Sequence, residues 1–149
     1  MRAVLQRVTQ AQVEVAGMVE GRIASGLLIL LGVSKTDTPA EAEALCAKIL
    51  NLRIFSDAAG KMNLSLIDTG GELLVVSQFT LYGDARGQRR PSFIQAAPAV
   101  QGKALYEQFV GAFKALGVGV QTGVFRADMS VELTNEGPVT ILLDSDKTF

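Results

Sequence analysis

Histidine and tryptophan are both absent from the 149 residues, and there is a single cysteine, Cys46. Without histidine the chain has no Ser-His-Asp or Cys-His triad and no two-His-one-carboxylate metal site. One cysteine and no histidine leave the chain without the Cys/His ligands of the usual zinc sites, and a lone cysteine forms no internal disulfide, which sets aside the secreted disulfide scaffolds. Charge of one sign is lacking too: 14 Lys+Arg meet 15 Asp+Glu, a formal net charge of −1. Nucleic-acid contact must therefore be argued from local features rather than a global field. Long apolar runs are missing as well. The most apolar stretch, Ile23 to Val33, is about half the ~20 residues that a membrane helix needs. Arg2 and Arg7 interrupt any leader-like core at the start. The expectation is one soluble, cytoplasmic domain over residues 1–149, with an apolar fraction of 48% that is ordinary for a packed core. Hydroxyls, carboxylates, Lys/Arg and backbone dipoles remain for chemistry.

The hydrophobic pattern changes period along the chain. Residues 2–8, 11–15 and 19–24 read as strands, and Leu27 to Val33 is a glycine-bounded apolar run suited to a strand buried on both faces. Thr38-Pro39, followed by acids, predicts a helix start, with Ala42, Leu45, Ile49 and Leu52 on one face. Residues 53–55 and 61–68 read as short strands, and 72–80 as a second strongly apolar one ending in polar residues. Residues 83–92 form a loop with Arg86, Arg89 and Arg90. Pro98 to Leu116 reads as a helix with Leu105, Phe109, Ala112, Phe113 and Leu116 on its apolar stripe. Strands are expected at 120–122, 129–133 and 139–143. Strands, helix, strands, helix, strands imply a sheet-rich α/β domain with two helices covering one face.

Three features carry candidate chemistry. Ser77-Gln78-Phe79-Thr80 closes an apolar strand with hydroxyls and an amide, a usual place for a site; half-buried strand residues with Phe79 in the core are the plainer reading. Asn135 to Thr140 reads first as a hairpin turn between two strands, with a cis Gly137–Pro138 bond as the sharper alternative. The arginine loop is either a solvated surface or a phosphate-contacting patch. Phe125 and Met129 are core or pocket lining.

Together, Met1-Arg-Ala-Val-Leu-Gln-Arg-Val8, Leu27 to Val33, Arg53 to Asp57, Gly60 to Leu64, Ser77-Gln-Phe-Thr-Leu81, Arg90 to Phe93, Gln121 to Gly123, Ala127 to Met129 and Asn135-Glu-Gly-Pro-Val-Thr140 resemble the D-aminoacyl-tRNA deacylase (D-Tyr-tRNA deacylase) family over almost the whole chain. The resemblance implies two packed β-sheets, barrel-like, in a three-layer α/β/β domain. It also implies a homodimer without cofactor or metal, acting on the 3′ aminoacyl-adenosine end of tRNA. The reaction implied is hydrolysis of D-aminoacyl-tRNA, with glycyl-tRNA also accepted. Ser77, Gln78, Phe79 and Thr80 would form the catalytic segment. Gly137 and Pro138 would enter the partner's pocket as a cis peptide, Phe125 and Met129 would contact the adenosine, and Arg7 would brace the inserted tip. Two alternatives stand beside this one: a related deacylase clearing a mischarged L-amino acid, and a non-catalytic tRNA-binding dimer.

Overall fold

The computed structural model describes residues 1–149. Its organising element is one long strand, β1 (Arg2–Val15), which joins the two N-terminal strands read from sequence into one. The first half of β1 pairs with β3 (Gly26–Gly32) and its second half with β2 (Met18–Ile23), both antiparallel. Its other edge pairs with β8 (Ser130–Asp144) along nearly its whole length. β3 then runs parallel to β6 (Glu72–Ser77), and β6 parallel to β7 (Val120–Thr122). The six-stranded sheet curls until β2 approaches β7. A Cβ placed on Gly21 would lie 2.8 Å from the carbonyl oxygen of Thr122 and 3.2 Å from Cβ of Gln121, so glycine is what lets the barrel nearly close at this seam.

Side chains alternate across a strand, and β3 and β6 bury both faces. Leu28, Leu74 and Val76 point into the barrel with Val8, Ala11, Val13 and Ile23. Leu27, Ile29, Leu31, Leu73 and Val75 point the other way, against two helices. Those helices are α1 (Pro39–Asn51) and α3 (Ala99–Ala115); a one-turn α2 (Leu66–Thr69) lies between them in sequence. The start of α1 follows from its residues: Thr38 accepts from the Ala40 amide, Glu41 accepts from the Thr38 amide at 2.7 Å, and Pro39 occupies the first turn. Such a reciprocal cap is worth about 1 kcal/mol. Ala42, Leu45 and Ile49 of α1 and Leu105, Phe109 and Phe113 of α3 are buried on the sheet. Leu116, expected on the same stripe, is 66% exposed because the helix has ended before it. A small two-stranded sheet, β4 (Phe55–Ser56) and β5 (Met62–Leu64), is not hydrogen-bonded to the large one, but Phe55 is buried in the same core. No helix is long and apolar enough to cross a membrane.

Three local expectations are corrected. Residues 61–68 do not continue as a strand: Ser65 accepts from the Asp68 amide, Asp68 accepts from the Ser65 amide, and α2 begins there. Residues 78–80 leave the sheet after Ser77 and enter a 3₁₀ turn, Phe79–Tyr82. Asn135 to Thr140 is not a hairpin between two strands, because the segments on both sides pair with the same strand in the same direction. Val8 pairs with Asn135 and Gln6 with Thr140, so four residues of β8 stand opposite Arg7 alone. The surplus bulges outward as a loop within one strand.

Candidate active site

The end of β6 builds the groove. Ser77 is its last paired residue, opposite Leu31, and the Gln78 amide still donates to the Leu31 carbonyl at 2.7 Å. The chain then tightens into the 3₁₀ turn, where Leu81 donates to the Gln78 carbonyl and Gly83 to that of Thr80. The first amides of such a turn have no acceptor inside it, which leaves the N–H groups of Phe79 and Thr80 for other partners. Gln78 Nε2 donates to Thr80 Oγ1. Phe79 is 55% exposed rather than core, and its ring meets Phe93 edge-on at 5.1 Å between centroids.

Opposite this segment stands the stretch between β7 and β8. A groove of about 540 Å³ is lined by Ser77, Gln78 and Phe79 on one side and by Phe125 and Met129 on the other, with Ala97 and Ala99 at its end. Phe125 is held from behind by α3: its ring lies 5.9 Å from that of Tyr106 and touches the space beside Gly102. Met129 rests on Gly123, where a Cβ would fall 2.5 Å from the Met129 sulfur. The lining also holds Arg126, whose φ of 68° lies in the left-handed region that non-glycine residues seldom adopt, and Asp128. Sequence reading missed Arg126, Phe93 and the small residues Ala97 and Ala99. Gly123 and Phe93 entered that reading only inside the family-like segments Gln121 to Gly123 and Arg90 to Phe93.

Thr80 is exposed and is not part of the lining. Gly137, Pro138 and Arg7 lie elsewhere in the same chain. Gly137–Pro138 is a cis peptide, and both residues are exposed on the β8 bulge. Beneath them Arg7 is 6% exposed: Nη1 donates to the Ile54 carbonyl at 2.6 Å, Nε lies 3.5 Å from Glu136, and a Cβ on Gly137 would fall 2.7 Å from Nη2. Asn135 ties the bulge's neck, accepting from the Val139 amide at 2.9 Å and donating to the Val139 carbonyl at 3.1 Å. The bulge is level with Leu27 and Leu73, and Ser77 is four residues further along β6. With three strand spacings between them, bulge and groove are roughly 20 Å apart over the sheet at ~3.3 Å per residue and ~4.8 Å per strand.

The arginine loop is pinched at its neck, where Asp84 and Ser92 exchange backbone hydrogen bonds of 2.8 Å. Arg86 is spent on Asp84, with contacts of 2.9 and 2.6 Å that hold the carboxyl well below the usual carboxylate range. Arg89 and Arg90 are exposed.

The chain is similar to known proteins over nearly its whole length. A family model described as D-Tyr-tRNA(Tyr) deacylase matches residues 4–144. Proteins named D-aminoacyl-tRNA deacylase from Thermosipho africanus and Kosmotoga olearia are 58% and 57% identical to the chain, each over 100% of both sequences. Among solved structures, the c-Myc DNA unwinding element binding protein superposes with a TM-score of 0.91 at 40% identity, covering 97% of this chain and 98% of that one. A probable eukaryotic D-amino acid tRNA deacylase shares the fold at a TM-score of 0.82 and 21% identity, covering 95% and 97%. With its family model matched nearly end to end and its relatives alike over their full length, the chain belongs to the D-Tyr-tRNA(Tyr) deacylase family of enzymes.

Proposed function

We propose that the protein hydrolyses the ester joining a D-amino acid to the 3′-terminal adenosine of tRNA, releasing the free amino acid and tRNA. Glycine mischarged on tRNA-Ala is its achiral second substrate. Its curated relatives carry the name D-aminoacyl-tRNA deacylase. The observation that carries the mechanism is the separation of two parts: a groove framed by Ser77, Phe79, Phe125 and Met129, and an exposed, braced Gly137-Pro138 bulge roughly 20 Å away on the same sheet. The bulge is too far to serve its own groove, so in this reading it enters the groove of a second copy in a homodimer.

An aminoacyl ester is already activated, so positioning and charge stabilisation suffice. Water adds to the ester carbonyl, the Phe79 and Thr80 amides hold the developing oxyanion, and the ribose oxygen departs with a proton. One such donor is worth roughly 3–4 kcal/mol. Thr80 has no histidine to activate it as a nucleophile, so water attacks directly, helped by the vicinal ribose hydroxyl of the tRNA. Phe125 and Met129 offer the apolar surface on which the adenine rests. Carbonyls of Gly137 and Pro138 of the partner subunit receive the α-amino group. A D side chain then points outward, and an L side chain collides with main chain, a rejection that leaves glycine untouched.

Deacylation of D- and L-aminoacyl-tRNA by the full chain is the test. Hydrolysis of the D ester alone, retained measurably by Thr80→Ala, is the expected result. Equal release of both enantiomers, or a trapped acyl-threonine, overturns the mechanism, and a strictly monomeric active enzyme overturns the two-copy groove.

A further inference from the structure

A second depression adjoins the reaction groove. It runs between α3 and residues 122–126, measures about 590 Å³, and shares Phe125 and Arg126 with the groove that holds Ser77. Phe125, backed by Tyr106, is the wall between the two. Lys103, Lys114 and Arg126 line the depression with one acid, Glu107, a net charge of +2 in a chain whose overall charge is −1. Positions 103, 107 and 114 recur at helical spacing, so they share one face of α3. The lysines stand about 16 Å apart at 1.5 Å per residue, the length of about five stacked nucleotides at ~3.4 Å each.

Neither lysine is committed elsewhere. The Lys103–Glu107 contact is 3.7 Å between side chains 58% and 61% exposed, a pair of little strength in water. Lys114 is exposed on the last turn of α3. Arg126 stands at the junction, held in the left-handed region by a turn in which Ala127 donates to the Val124 carbonyl. Since Ala99 of α3 lines the reaction groove, the order outward from the ester is Arg126, Lys103, Lys114.

We infer that this depression is a phosphate track for the single-stranded acceptor end of tRNA: Arg126, Lys103 and Lys114 pair with successive backbone phosphates as the strand leaves the reaction groove. The inference rests on the aminoacyl-tRNA reading and adds the path of the strand. Lysine and arginine contacts to phosphate fix position and add affinity without reading sequence, which suits an enzyme acting at the end common to all tRNAs. The arginine loop is the competing track, and there Arg86 is already neutralised by Asp84.

The test compares full-length D-aminoacyl-tRNA with D-aminoacyl-adenosine, which carries the same ester and no phosphate. The double variant Lys103→Ala/Lys114→Ala is expected to lose tenfold or more in kcat/KM on the tRNA relative to its own change on the nucleoside. Its log affinity should also fall less steeply with log salt, by about 1.4 for two lost contacts at ~0.7 each. Glu107→Lys, which adds a cation to the same face, should move both readouts the other way, a gain that misfolding cannot mimic. Equal changes on both substrates, or a salt slope altered by Arg89→Ala/Arg90→Ala and not by the lysine pair, overturn the track while the deacylase reading stands. Failure of the wild-type chain to hydrolyse either D ester overturns both.

Discussion

Arg7 offers a sharp test of what holds the Gly137-Pro138 bulge. Its guanidinium has two neighbours of opposite character: the Ile54 carbonyl at 2.6 Å, which accepts a charged hydrogen bond in a buried setting, and the Glu136 carboxylate at 3.5 Å, whose side chain is 46% exposed. A hydrogen bond involving a charged group is worth ~1.5–3 kcal/mol net, and an exposed ion pair ~0–1. Arg7→Met keeps most of the buried stem and deletes the guanidinium. Nε has no hydrogen-bond partner, so part of the loss is returned by no longer desolvating an imperfectly paired ion. The net cost is about 2 kcal/mol, a fall in Tm of ~4–8 °C for a chain of this size. Glu136→Gln leaves the Ile54 contact in place and should cost at most about 0.5–1 kcal/mol. Thermal and urea unfolding of the two variants, followed by circular dichroism, measures both. Equal destabilisation by the two changes, or an Arg7→Met protein as stable as the parent, would falsify the assignment of Arg7's role to the Ile54 carbonyl. Under the proposed mechanism Arg7→Met should also slow D-aminoacyl-tRNA hydrolysis more than Glu136→Gln does, because only the former loosens the base of the bulge.

Three further outcomes follow from close contacts and burial. Gly21→Ala drives a methyl against the Thr122 carbonyl at 2.8 Å, where backbone must yield; a loss of about 1–3 kcal/mol in urea unfolding is expected, and a neutral result would mean the barrel seam is slack. Gly123→Ala meets instead the movable sulfur of Met129, so the change should displace Met129 and raise KM for D-aminoacyl-adenosine several-fold while shifting Tm by no more than a few degrees. Burial pushes the Cys46 thiol from 9.0 up to about 11 and the Tyr106 hydroxyl from 10.0 up to about 12. Both groups are neutral when folded, so the stability they confer is intact below about pH 9 and is lost as pH rises through the folded values. Unfolding free energy should therefore decline between about pH 9 and 12, with Cys46→Ala flattening the lower part of that window, and native Cys46 should resist thiol reagents at pH 8.

Where local physics is strong, the residues alone determined the structure. Thr38-Pro39 with Glu41 caps α1 because the groups that satisfy the first amides are all within one turn. The apolar run of β3 is buried on both faces because no alternation leaves a face for water. The motifs at 77–80 and 135–140, with Phe125, Met129 and Arg7, were also visible as residues, and the family was legible from them together. Long-range pairing decided the rest. That 129–133 and 139–143 are halves of one strand follows only from their common partner β1, since glycine and proline at 137–138 serve a hairpin and a bulge equally well. Phe79 looked like core because the apolar run reaches it. The ladder with β3 ends at Ser77 and the 3₁₀ turn then swings the ring onto Phe93. Cys46 is buried because α1 lies on the sheet, and Arg126 stands between two grooves because α3 packs behind Phe125. Composition and local spacing carry the identity of the groups. Their distances across the sheet, and hence the separation of bulge and groove, exist only once the strands are in register.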